Sequence, residues 1–382
     1  MPAAATLDEL VRTQDVIVCV GSGGVGKTTM AASIAMHAAQ IGKTACVLTI
    51  DPARRLASAM GLSELGNAPA RVEDARFEAS GVPRPAGKLF AMMLDTKRTW
   101  DDLVHRFASS PDQARRILAN KYYEQISSAI AGSQEFMAME KLYELHDSNA
   151  YDLLVLDTPP TRHALDFLDA PKKMIGFMDD SLLKFLTSPS RVGKFGLGVL
   201  TSSSAMMFAV LQRMTGFEVL KDIADYVSSF SGMHAGFRER AQKVEDQLRS
   251  SRSSFALVTS PNAETIDEAI FFYRKLQIAA MPFGGFVVNR VQESAITTPE
   301  AEAEWKALRR DPARFGGEPG LAVRLIENFA EYEARAAAHA ANLTVLRERC
   351  PGPHFWRTVP AFDNDVHDLS GLARVNSRLF SR

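Results

Sequence analysis

Two periodicities share this chain. Runs of mostly apolar, often β-branched residues recur at "DVIVCV" (15–20), Ala45 to Ile50, Leu153 to Leu156, "SFALV" (254–258) and "FVVN" (286–289), and a last strand is expected near Phe355 to Val359. Most are bounded by Gly, Pro, Asp or Asn, the pattern of strands buried on both faces of a parallel sheet. Between them apolar residues return at helical spacing. In "KTTMAASIAMHAAQIGK", Met30, Ile34 and Ala38 fall on one face and Gly42 is placed to cap the carboxyl end. Strand alternating with helix predicts an α/β fold with a mostly parallel, doubly wound sheet.

The alternation breaks down in the middle of the chain. "TWDDLVHRFA", "QARRILANKYYEQISSAIAG" and "QEFMAMEKLYELHD" precede the strand at Leu153, and "APKKMIGFMDDSLLKFLTS" and "SSSAMMFAVLQRM" follow it, all with helical periodicity. The organisation expected is one domain over 1–382. Its core spans about 1–95, 150–167 and 252–382, and a helical subdomain spans about 96–148 and 168–250. Six of the fifteen methionines lie between Pro171 and Phe237. Methionine is flexible and polarizable, so a surface rich in it adapts to apolar partner helices; packing as ordinary core is the other reading. Towards the C-terminus, "TTPEAEAEWKALRRDP" through "YEARAAAHAANLTVLRERC" reads as a solvated helical connection before the last strand.

The first strand runs into "GSGGVGKTT". Gly21, Gly26, Lys27 and Thr28 fit the pattern G-x-x-x-x-G-K-[ST], here between a strand and a helix. Glycines let main-chain N–H groups close around phosphate oxygens, and the helix N-terminus adds partial positive charge. Gly23, Gly24, Val25, Gly26, Lys27, Thr28 and Thr29 are therefore the expected nucleotide-binding residues. Lys27 would reach the β- and γ-phosphates, and the Thr28 hydroxyl would ligate Mg²⁺. Two aspartates close apolar strands, Asp51 before Pro52 and Asp157 before Thr158-Pro159-Pro160. Ligands of open α/β sheets sit at such strand ends, and Asp157 is the expected carboxylate of the outer Mg²⁺ shell.

Charge and composition narrow the partners. The net charge is −1 and the pI about 6.7, which is no footprint for nucleic acid. The N-terminal stretch carries Asp8 and Glu9 and has no apolar segment of signal-peptide type. No run reaches the roughly 18 apolar residues of a membrane span, so a cytoplasmic protein that is not an integral membrane protein is expected. Cys19, Cys46 and Cys350 form no CxxC pair and the eight histidines no metal-binding spacing.

Together "GGVGKTT", "TIDPARRL", "DTPPTRHALDFLDAP", "FGGFVVNRV" and "RTVPAFDNDVHDLSGLARV" resemble the arsenical pump-driving ATPase family. That family of deviant-Walker P-loop ATPases includes the ATPase that targets tail-anchored membrane proteins. The resemblance implies ATP and Mg²⁺ as cofactors, Asp51 as the residue orienting the attacking water, and Asp157 as a switch residue near the metal. It also implies that Asn289 contacts adenine and that Pro360 to Phe362 flank it. It implies a nucleotide-driven dimer, homodimeric or formed with a paralogue, that binds a hydrophobic client helix in the methionine-rich region. Two alternatives stay open: the ATPase subunit of an arsenite efflux pump, and a slow nucleotide-gated partner of an active paralogue. The family usually has lysine where this chain has Ser22. Arg54, Arg55 and Arg162 are the candidates to compensate for that missing charge.

Overall fold

The apolar runs pair edge to edge. A computed structural model describes residues 6–50, 55–120, 123, 133–158, 169–170, 233–315 and 318–381. It divides into two compact units, one formed by Met1–Met92, Asn149–Ala164 and Arg249–Arg382, the other by Met93–Ser148 and Leu165–Leu248. The strands are β1 (Val16–Val20), β2 (Thr44–Thr49), β3 (Ala70–Arg71), β4 (Lys88–Met93), β5 (Leu153–Asp157), β6 (Ser253–Thr259), β7 (Phe283–Val291) and β8 (Phe355–Pro360). They form one sheet in the order β3-β4-β2-β5-β1-β6-β7-β8. The pairs β2–β5, β5–β1, β1–β6, β6–β7 and β7–β8 are parallel, and the β3–β4 pair at one edge is antiparallel. Every residue of β1, β5 and β6 is buried, as continuous apolar runs demand. The expected α/β, mostly parallel P-loop sheet is present. The short β3 and the strand β4, "KLFAMM", are additions that the sequence pattern did not signal.

Among the described residues the α-helices of the first unit are α1 (Leu7–Thr13), α2 (Lys27–Gln40), α3 (Arg55–Ala59) and α4 (Asp74–Ala79). After the second unit's α5 (Thr96–Phe107), α6 (Pro111–Leu118), α7 (Ser133–Asp147) and α8 (His234–Arg249) come α9 (Ala263–Ile278), α10 (Pro299–Arg310), α11 (Pro319–Arg349) and α12 (Leu369–Leu379). Helix α2 corrects a detail of the pattern reading. It is buried nearly all round, Ala31, Ala32, Ala35, Met36 and Ala39 as well as Met30, Ile34 and Ala38. Its small alanines let α1, α3 and α12 approach the side that faces away from the sheet, so no polar face is needed. Gly42 lies two residues past the helix with φ +99°, the left-handed position that ends helices. Helix α10 has no buried residue, in keeping with a solvated connection.

Strand β7 runs two residues beyond Asn289. Val288 pairs with Thr358 and Val291 with Pro360, so Asn289 and Arg290 together face one residue of β8. This is a bulge, which re-aims side chains at a strand end. Arg290 takes the left-handed conformation at φ +60°.

In the second unit α5 and α8 bring an aromatic cluster together, with the Phe237 ring centroid 5.9 Å from Trp100 and 5.0 Å from Phe107. In the same unit the buried Glu140 of α7 receives Arg240 Nε at 2.8 Å on both carboxylate oxygens, and Arg106 Nη1 lies 3.5 Å away. The Arg240 guanidinium also covers the Tyr143 ring at 4.0 Å. Burial pushes the Glu140 carboxyl above the usual carboxylate range, while Arg240 and Arg106 pull it back. The methionine-rich stretch expected to hold a client lies, apart from Met233, outside the described residues.

Candidate functional site

The chain leaves β1 at the centre of the sheet, where β5 lies on one side and β6 on the other, and turns at once into the glycine loop. Ligands of such sheets collect at the carboxyl ends on either side of the central strand. Gly21 makes the first turn at φ +144°, and a Cβ there would come within 2.0 Å of the Val258 carbonyl oxygen of β6. Gly26, at φ +96°, precedes α2, and a Cβ there would come within 2.4 Å of Asn289 Nδ2. Both positions exclude a side chain on space as well as on conformation. Because Gly26 has no side chain to cap α2, the first-turn amides of that helix are left to an external acceptor.

Lys27 is buried, and its Nζ donates to the Ser22 carbonyl at 2.8 Å, folding the ammonium back across the loop. The Thr28 hydroxyl donates to Asp157 Oδ2 at 2.7 Å, and Thr49 Oγ1 donates to the same oxygen at 2.8 Å. The register of β2 and β5 puts Thr49 beside Asp157, so the second bond follows from strand pairing. Thr158 Oγ1 donates to the Cys19 carbonyl at 2.8 Å and ties the end of β5 to β1. The Cys19 thiol is pushed far up, first by burial and then by the Asp157 charge, with Lys27 opposing. It is held protonated beside the loop and is no nucleophile.

On the other side of the loop, Asn289 Nδ2 donates to the Val25 carbonyl at 2.9 Å and its Oδ1 accepts the Arg290 N–H at 2.9 Å. The asparagine therefore pins β7 to the loop. Arg290 Nη1 reaches the Gly24 carbonyl at 3.3 Å.

These elements enclose a cavity of about 630 Å³, within the range of small-molecule sites. Gly24, Gly26, Lys27, Thr28 and Thr29 line one part, Asn289 and Arg290 a second, and Pro360 to Phe362 with Asn364 to His367 a third. Arg55 and Thr158 also face it. Of the sequence-predicted residues, Gly24, Gly26 to Thr29, Arg55, Asn289, Pro360 and Phe362 thus line one cavity from widely separated segments. Gly23 is exposed on the loop, whereas Val25 packs its side chain into the core. Asp51, Arg54 and Arg162 lie outside the described residues. Thr158 was read only as the start of the turn after Asp157, and Thr49, Arg290 and the Asn364–His367 segment were given no role from the sequence. For Arg290 only its place next to Asn289 could have hinted at it, because a positive φ leaves no trace in the residue type.

The donor set suits a hard divalent cation. Thr28 and Asp157 offer a hydroxyl and a carboxylate 2.7 Å apart, oxygen ligands of the kind Mg²⁺ takes alongside phosphate. Soft-metal chemistry is poorly served. Cys19 lies in β1 and Cys46 in β2, separated in the sheet by β5, and Cys350 follows α11. All three are buried, and burial pushes Cys46 up to about 12 and Cys350 up to about 11. Among the described residues no three His, Cys, Asp or Glu side chains gather as a metal site. Among them, too, no helix is long and apolar enough to cross a membrane.

A strand, a glycine loop clasped by a lysine, and an aspartate closing the neighbouring strand define a P-loop nucleotide site on a parallel sheet. The chain belongs to the anion-transporting ATPase family, whose model matches residues 14–311. Its relatives include a Halobacterium salinarum protein provisionally named arsenical pump-driving ATPase, 29% identical over 59% of this chain and 36% of that one. The ATPase GET3 of Malassezia globosa is 28% identical over 61% of this chain and 60% of its own length. The ATPase GET3B of Arabidopsis thaliana is 25% identical over 71% and 62% respectively. The chain thus spans less than two thirds of each of these relatives.

Proposed function

We propose that this chain is a magnesium-dependent ATPase in which ATP drives a dimer between open and closed states around a hydrophobic client helix. The observation that supports it most is the Thr28–Asp157 bond of 2.7 Å beside the buried Lys27, which joins the phosphate loop to the strand end. In this reading Lys27 neutralises the β- and γ-phosphates and the amides of residues 23 to 29 grip their oxygens. Thr28 holds Mg²⁺ directly and Asp157 holds it through the outer shell. The metal would shield the phosphate charge. Asp51 orients the water, and Asn289, Pro360 and Phe362 flank the adenine. Catalysis then rests on positioning and charge stabilisation, with no covalent intermediate.

The names of the relatives support a choice between two uses of that cycle. Targeting of tail-anchored proteins fits the methionine-rich stretch, whereas arsenite efflux would need soft ligands that three buried, separated cysteines do not supply. In this reading a second copy or a paralogue completes the dimer. Ser22 cannot contribute charge across that interface, and Arg54, Arg55 and Arg162 are the proposed substitutes, Arg55 already facing the cavity. Calorimetry with Mg-ATP, phosphate release, and mass determination with and without nucleotide test the reading. Binding strongly weakened by Lys27→Ala, slow turnover and nucleotide-dependent association are expected. Absence of Mg-ATP binding would overturn it. Binding without any turnover would favour the regulatory-partner reading, and turnover stimulated by arsenite the pump reading.

A further inference from the structure

Two cationic side chains hold carbonyls of the same loop from opposite directions. Lys27 holds Ser22 from within the loop at 2.8 Å, and Arg290 holds Gly24 from the β7 bulge at 3.3 Å. The second is the unexpected one. Arg290 occupies φ +60°, where a long side chain is disfavoured and glycine is at ease. That conformation comes with the bulge that sends its guanidinium over the loop, towards the cavity it shares with Lys27 and Thr28. Strain of this kind gathers at functional sites. Its bond to Gly24 is long and goes to a neutral oxygen, and Arg290 forms no ion pair among the described residues. A guanidinium is built to bind anionic oxygens in pairs and prefers them to a single carbonyl.

We propose that Arg290 is a second cation of the phosphate site, exchanging the Gly24 carbonyl for the phosphate oxygens of a nucleotide seated on the glycine loop. The proposal rests on the nucleotide-binding reading above and adds a residue to it. It assigns Arg290 to the polyphosphate and away from the base, even though its neighbour Asn289 lies on the adenine side of that reading.

The test uses the full chain, Arg290→Gly and Arg290→Lys, with Mg-ATP and inorganic tripolyphosphate as probes in calorimetry. Glycine takes the φ of residue 290 without strain, so the variant is expected to keep or raise its melting temperature. Loss of a charge-assisted contact is expected to weaken both probes on the order of tenfold in Arg290→Gly. Lysine is expected to restore part of that loss and glycine to flatten the salt dependence of binding. A glycine variant that binds both probes like the wild type overturns the proposal. So does one that loses ATP but keeps tripolyphosphate, since Arg290 would then touch base or ribose, or one that merely melts earlier with binding intact. A wild-type chain that binds neither probe overturns this proposal together with the reading beneath it. Wild-type binding with an unaffected glycine variant overturns this one alone.

Discussion

Two carboxylates, each 1% exposed, lie in the two units of this chain and are held in opposite ways. Asp157 ends a central strand and accepts two hydroxyls, from Thr28 and Thr49. Glu140 sits amid helices and accepts a guanidinium through both oxygens, with a second guanidinium close by. A hydroxyl both donates and accepts, so it can turn from the carboxylate to a metal and back. A guanidinium offers donors only, and a bidentate pair is complete. The first arrangement suits a site that must exchange partners, the second a clamp that must not.

The sharpest way to break that contrast is Arg240→Ala. It removes the bidentate partner of a buried carboxylate, leaving Arg106 at 3.5 Å as its counter-charge, and is expected to cost about 3 kcal/mol in urea unfolding. Replacing the pair together, Glu140→Leu with Arg240→Met, is expected to recover most of it. A single variant that costs under about 1 kcal/mol would remove Glu140 from the role of clamp. In the first unit the corresponding cation, Lys27, is proposed to act on ligand. Lys27→Ala is expected to reduce Mg-ATP affinity on the order of a hundredfold while shifting unfolding little, read by calorimetry beside a melt.

Gly26→Ala probes the join between loop and β7. Its Cβ would collide with Asn289 Nδ2 at a φ of +96°, so a cost of about 1–3 kcal/mol is expected, with weaker nucleotide binding. Thr49→Val removes one neutral donor from Asp157 and is expected to cost about 1 kcal/mol. Unchanged stability in that variant would mean that strand pairing alone holds the aspartate.

Acid gives the smallest effect. Burial lowers the pKa of His37, His339 and His354 in the first unit. The unfolded chain therefore binds more protons than the folded one between those lowered values and the ordinary value near 6.5. Stability is expected to be full above about 6.5 and to fall as pH drops through that window. His37 has the closest packing, stacked on Phe380 at 3.6 Å and bonded to Asp8 at 2.7 Å. Its replacement by Gln should flatten the melting temperature between pH 7 and 5; an unchanged slope would place the titration elsewhere.

Much of the first unit was legible beforehand. Five of the strands announce themselves because a strand buried on both faces must be apolar at nearly every position; β8, half-buried over Trp356 to Thr358, is the exception. The loop announces itself because only glycine, lysine and threonine supply its turns, charge and hydroxyl. The antiparallel edge escaped notice, since a two-residue strand such as β3 exists only through its partner. Burial of α2 on every side escaped too. Alanines are silent about which face is inside, and α12, which covers it, comes more than three hundred residues later.

Residue types alone settled that this chain would build a parallel sheet ending in a phosphate loop, because backbone sterics, apolar periodicity and the chemistry of Gly, Lys and Thr are local. Folding in three dimensions decided which distant groups meet there. Thr49 reaches Asp157 through the pairing of β2 with β5. Asn289 and Arg290 reach Val25 and Gly24 through a bulge. Register and backbone handedness depend on partners hundreds of residues apart, and no single stretch of sequence encodes them.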